Sequence, residues 1–379
     1  MIIATRRFIG VRAAAVAAIA ALLACAAPIG AQSSGNSSGS APAAGGSGGM
    51  KPEVDSRLAP CTSPDAISTE PWAFGATKGQ IIRTTHYRIY TTERNVVLRD
   101  RMVGFVERAL THYRSAIVPL PAPPQRLDTY LMDTRPQWEQ VTKLLMAEQA
   151  DTLVKIQRGG YASRGIGVYY DLGLLDTMSI AAHEGWHQYT QRTFKDGLPV
   201  WLEEGLATHM EGHRWVNTLA EFRPWANVER FDQLRKAKDT GKLADLETLL
   251  TSSPQSFLGT VDGSLLNYYA QVWALTHFLN EGAEGKYRDS LRNLLLDASE
   301  GNLGKVLQTK LGQRGASAMM SRTGPAVFIA YFNSDIEEAA REYTAFLDKL
   351  VQPGTRGDVV AGRSPFGTPA SGVRVNQPK

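Results

Sequence analysis

The segment His183-Glu184-Gly185-Trp186-His187 constrains this chain more than any other feature. Side chains four residues apart lie one above the other on an α-helix, so a helix here puts both imidazoles on one face, where they can share one zinc ion. Glu184 follows the first histidine by about a hundred degrees of helical rotation, which lets it face the open position of such an ion and take a proton from water. With 7 His in 379 residues, the pattern arises by chance in on the order of one chain in a hundred. A pair of helix-surface histidines is therefore the competing reading, and further donors decide between the two.

A catalytic zinc takes three protein ligands and keeps one position for water. A third histidine of the extended pattern would fall at Thr193, with Thr190 in the place of its glycine, and neither residue fits. A carboxylate does fit. The run from Leu198 to Ala207 reads as a second helix, with Pro199 at its start and Gly212 near its end, and it offers Glu204 as the third ligand. Gly205 lies inside that helix at a cost of about 1 kcal/mol relative to Ala, which a close approach to the zinc helix would explain. Glu211 lies on the same face as Glu204 and is expected to support a ligand histidine from outside. His209 and His213 have no third donor beyond Glu211 and read as a solvated helix face.

Alternation of Tyr87 and Ile89 predicts a strand over 85–92, followed by a helix over 93–117. A second strand over 126–132 and a helix over 136–147 repeat the order, and the glycine-rich stretch 159–170 reads as a strand or hairpin. Beyond Asp176 nearly everything is helix-patterned. The expected fold is therefore α+β: a small mixed sheet in an N-terminal part, 51–176, then the zinc-site helices and a mostly helical C-terminal part, 177–352.

The ends read differently. Arg6 and Arg7 precede an Ala-rich apolar run with Ile29 and Ala31 at cleavage-compatible positions, which predicts a signal peptide over 1–31 and a periplasmic or extracellular protein. Leu22-Leu23-Ala24-Cys25 keeps a lipid anchor at Cys25 as a second option. Residues 32–50 are a Ser/Gly-rich linker, and 353–379 are expected to be a disordered tail. The formal charge is +4, three of it from Arg6, Arg7 and Arg12. The nearly neutral remainder gives no support to a nucleic-acid partner, and no later segment is apolar enough for a stable membrane span.

His-Glu-x-x-His followed by Trp201-Leu202-Glu203-Glu204-Gly205-Leu206-Ala207 resembles the gluzincin zinc peptidases of the peptidase MA clan, which includes the aminopeptidase N enzymes. The downstream run Tyr269-Ala-Gln-Val-Trp-Ala274-Leu275-Thr-His-Phe-Leu279 is similar to the clan's oxyanion-tyrosine helix, which implies that Tyr269, rather than its neighbour Tyr268, donates to the tetrahedral oxyanion. The similarity spans 83–350 and is greatest to secreted bacterial peptidase MA-like proteins. It implies a zincin-like fold, one Zn2+ per chain and a peptide or protein substrate. The Gly-x-Met-Glu-Asn strand of the aminopeptidases is absent. Gly159-Gly160-Tyr161 stands in its place, and Gly160 and Tyr161 are expected to pair with an extended peptide. A zinc-binding interaction module of the cell envelope that hydrolyses nothing is the alternative.

Overall fold

A computed structural model of the chain describes residues 55–257 and 264–367. The expected signal peptide, Cys25, the linker and the last part of the tail lie outside the described residues.

The fold is α+β. Its strands are β1 (Ser68–Phe74), β2 (Thr77–Arg83), β3 (Tyr87–Thr91), β4 (Leu127–Met132), β5 (Tyr161–Ser163), β6 (Ile166–Tyr170), β7 (His213–Val216) and β8 (Leu219–Phe222). The helices are α1 (Val96–Tyr113), α2 (Arg135–Leu145), α3 (Ala150–Leu153), α4 (Leu174–Thr193), α5 (Val200–Met210), α6 (Val228–Asp239), α7 (Leu246–Thr251), α8 (Ser264–Glu281), α9 (Arg288–Glu300), α10 (Leu303–Leu311), α11 (Gln313–Ser321), α12 (Ala326–Tyr331), α13 (Ile336–Leu350) and α14 (Thr355–Val360).

Six strands form one mixed sheet in the order β1-β2-β3-β4-β6-β5. The neighbouring strands β3, β4 and β6 run parallel, because α1 and then α2 and α3 carry the chain back between them. Tyr87, Ile89 and Thr91 of β3 are buried while Arg88 and Tyr90 between them are half-buried, the alternation that the sequence carries. The β5–β6 hairpin turns on Arg164 and Gly165, both at positive φ (54° and 72°), as a two-residue turn between twisted strands requires. This hairpin leaves β5 at the edge of the sheet.

α4 crosses the sheet and packs against α1 at Gly185, where an added Cβ would press on the Tyr113 hydroxyl that donates to the Ala182 carbonyl at 2.6 Å. α8 is buried from Tyr268 to Leu279 and forms the floor on which α5 and α6 lie. Gly205 does permit a close approach, but its partner is α8 rather than α4: an added Cβ would collide with Thr276 Oγ1 and the Val272 carbonyl.

Three further features depart from the sequence reading. β1 and β2, with Thr, Lys and Gln in their pattern, add a hairpin ahead of the first expected strand. The β7–β8 hairpin interrupts a stretch expected to be helical. The presumed tail folds back as far as residue 367: α14 forms, Val359 is fully buried, Arg356 pairs with Asp232 at 2.7 Å, and the Phe366 ring stacks on Phe346 at 4.5 Å. Its Gly, Pro and Ser content hid two apolar anchors. No helix among the described residues is long and apolar enough to cross a membrane.

Candidate metal centre

α4 and α5 bring the predicted ligands together. His183 Nε2 and His187 Nε2 are 3.3 Å apart, and Glu204 Oε2 lies 3.4 Å from the first and 3.5 Å from the second. A tetrahedral ion with ligands about 2.0–2.2 Å away has ligand-to-ligand edges of about 3.3–3.6 Å, so this triangle has the dimensions of one face of a zinc site. All three residues are buried, and no other set of three His, Cys, Asp or Glu converges in this way among the described residues. The group can hold a metal ion.

The outer nitrogens are fixed as well. His183 Nδ1 donates to Glu211 Oε1 at 2.6 Å, as expected for Glu211. His187 Nδ1 donates to Glu203 Oε1 at 3.1 Å, which gives Glu203 a part that the sequence reading did not assign. Both bonds leave the Nε2 lone pairs aimed at Glu204 Oε2, a convergence that calls for positive charge at its centre. Glu211 is itself held by Arg230 Nη2 at 3.0 Å and Asn227 Nδ2 at 2.8 Å, and Glu203 accepts from Thr190 Oγ1 at 2.8 Å. Nothing in the spacing of Asn227 and Arg230 ties α6 to α5, so the sequence alone does not point to them.

The electrostatics follow from these contacts. Burial opposes charge on His183, yet Glu204 and Glu211 together lift its pKa to about 9. Burial likewise opposes ionisation of Glu204 and Glu211, but His187 and His183 on the one, and Arg230 and His183 on the other, bring each down to about 2. The site is thus built to keep Glu204 and Glu211 ionised.

Glu184 lies beside the ligands and is fully buried. Its Oε2 accepts the Ala162 N–H of β5 at 2.9 Å, while its Oε1 has no hydrogen-bond partner among the described residues. Burial pushes its pKa up to about 7, against the pull of His187 and His183. Tyr269 stands edge-on to the His183 ring at 5.8 Å, with the Arg230 guanidinium 5.2 Å from its own ring. Burial raises the Tyr269 phenol well above its ordinary pKa, so it stays protonated and able to donate. Tyr268 points elsewhere, onto Phe257 at 5.4 Å.

The other two predicted residues take different places. Gly160 is compact for internal reasons, since an added Cβ would lie 2.5 Å from Tyr169 and 2.9 Å from the Val168 carbonyl. The Tyr161 side chain is buried against Trp138, at 5.8 Å, in a cluster with Met132, Val141 and Val168. A glycine reports tight space without saying what fills it, and a strand residue's side chain alternates away from its neighbours' face.

A cleft of about 330 Å³ opens beside the ligands, lined by Ala162, Ser163, Gln191, Phe194, Glu204 and Arg322 among others. Residues 177–299, from α4 into α9, match a family described as a protein of unknown function (DUF1570). The matched stretch contains every residue of the triangle, Glu184 and Tyr269. The chain finds no match among curated proteins.

Proposed function

We propose that the chain is an exported zinc-dependent peptidase of the gluzincin type. The observation that carries the reading is the convergence of His183, His187 and Glu204 beside a buried carboxylate with one unpartnered oxygen. Two histidines and one carboxylate are a donor set of catalytic zinc, which when bound supplies Lewis acidity toward a carbonyl and makes water more acidic.

This chain's own residues supply the rest. Glu184 accepts a proton through Oε1 and returns it to the leaving amine, with Oε2 anchored on the Ala162 amide. Its pKa near neutrality suits both directions of transfer. Tyr269 donates its phenolic hydrogen to the oxyanion of the attacked carbonyl. The walls of the cleft, with β5 along one side, receive the peptide or protein substrate.

The purified mature protein is incubated with a diverse peptide mixture, with and without a chelator, and products are read by mass spectrometry. Cleavage that chelation abolishes is the expected result. Zinc-loaded protein that cleaves nothing would leave a metal-binding interaction module instead. Fractionation of expressing bacteria tests export, with the processed form expected outside the cytosol.

A further inference from the structure

β5 is an edge strand, yet Ala162 at its centre is fully buried. In the β5–β6 hairpin Ser163 and Ile166 flank the two-residue turn, so the next pair, Ala162 with Gly167, exchanges no backbone bonds and Ala162 turns its N–H and C=O away from β6. α4 takes both groups. Glu184 accepts the N–H, and Gln191 Nε2 donates to the C=O at 3.1 Å. The other end of the same amide, Gln191 Oε1, accepts the Gly165 N–H at 2.8 Å.

Gln191 therefore offers the hairpin one donor and one acceptor, the same two groups that a residue of an incoming strand would present. It sits on the rim of the cleft, one helical turn beyond His187, and is itself exposed. Exposure matters, because an exposed side chain can swing into water and keep its hydrogen bonds there. The Glu184 bond is different in kind: it is buried and orients the base, so the C=O of Ala162 is the edge group that a substrate can win.

We propose that Gln191 is a strap across the edge of β5 that an extended peptide displaces, taking the Ala162 carbonyl with its own backbone N–H. This rests on the peptidase reading and adds a regulator to it. The strap protects the edge between turnovers, as covered edges do in general, and it weakens binding of every peptide by the bond that must be given up. One neutral hydrogen bond is worth about 0.5–1.5 kcal/mol net, or about 2- to 10-fold in affinity.

The test uses acetyl-tetraalanine amide, a probe whose polar groups are all backbone, titrated by NMR into zinc-loaded protein carrying Glu184→Gln so that nothing is cut. Gln191→Met removes both bonds of the strap. Gln191→Glu keeps an acceptor for the Gly165 N–H but has no hydrogen to give the Ala162 carbonyl, and it decides the matter should the Met variant fold poorly. Binding about 2- to 10-fold tighter in both is the expected result. Unchanged or weaker binding in Gln191→Glu overturns the strap, as does a probe that binds none of the proteins. The peptidase reading fails on separate ground, when zinc-loaded wild type cleaves nothing in the peptide mixture.

Discussion

Glu184 shares one turn of α4 with His183 and His187, while Glu204 comes from α5, so binding by the three candidate ligands and chemistry at Glu184 can be separated by single substitutions. Glu184→Gln preserves size and leaves His183, His187 and Glu204 intact, and its amide oxygen can still accept the Ala162 N–H. Zinc content is expected to stay at one per chain while turnover falls by about 10²- to 10⁴-fold, the usual worth of a general base. Equal turnover at equal folded concentration would take the role from Glu184. Outside the triangle, Glu203→Ala removes the acceptor of His187 Nδ1, and Glu211→Ala removes that of His183 Nδ1. Each is expected to weaken zinc binding by about 10- to 100-fold in a competition with a chromophoric chelator. The Glu211 change is the more harmful, since it also strands buried Arg230. At this scale periodicity and motif register pointed to residues that the fold gathers at one place: His183, Glu184, His187, Glu204, Glu211 and Tyr269. The sequence assigned no part to Glu203, the neighbour of Glu204 that accepts from His187 Nδ1. Adjacent helix positions diverge by about a hundred degrees, and which of two acids faces inward depends on how the helix is rolled in the fold.

The elements that hold these residues meet at glycines. α5 lies on α8 at Gly205, and a methyl group there would strike Thr276 Oγ1 and the Val272 carbonyl, so the two helices must part or tilt. Gly205→Ala gains up to about 1 kcal/mol of helix propensity, but overpacking costs about 1–3 kcal/mol. A net loss of about 1–2 kcal/mol is expected, seen as a lower melting temperature, together with weaker zinc binding because Glu204 is the preceding residue. A melting temperature that rises would show that the helices are less closely fitted than the contact implies. The sequence showed that something approaches Gly205 closely without showing which helix it is, because a missing side chain carries no address. The same gap explains Gly160, read as room for a peptide and found to be room for Tyr169 and Val168. Strands behaved likewise. β3 and β4 alternate clearly and were legible, whereas β1 and β7 are solvated on much of their length and owe their place to their hairpin partners.

Across the whole molecule, α1, α5, the β7–β8 hairpin and α8 are joined by histidines, among them His209, which the sequence placed on a solvated face. His209 and His277 are buried with rings 4.5 Å apart, and His112 lies against Phe222 of β8 at 5.3 Å. His209 Nδ1, His277 Nε2 and His112 Nε2 are sealed from solvent without hydrogen-bond partners among the described residues. Burial therefore depresses their pKa values, that of His112 to about 4 and that of His209 well below the ordinary range. A histidine whose folded pKa lies below its unfolded value of 6.5 contributes fully above pH 6.5, and the contribution is lost as pH falls from 6.5 toward 4. Acid should thus loosen the joint between the α1 layer and the helical half. His112→Phe isolates one share, since a phenyl ring keeps the stack on Phe222 and cannot be protonated. Unfolding free energies of zinc-loaded wild type and His112→Phe, measured in urea at pH 7 and pH 4.5, are expected to shift by about 2–3 kcal/mol in favour of the variant on acidification. Comparing the two proteins at each pH cancels the titrations they share, including those at the metal centre. A difference that stays constant between the two pH values would mean that His112 titrates alike in the folded and unfolded chain, and that burial of its Nε2 does not set the acid sensitivity of this joint.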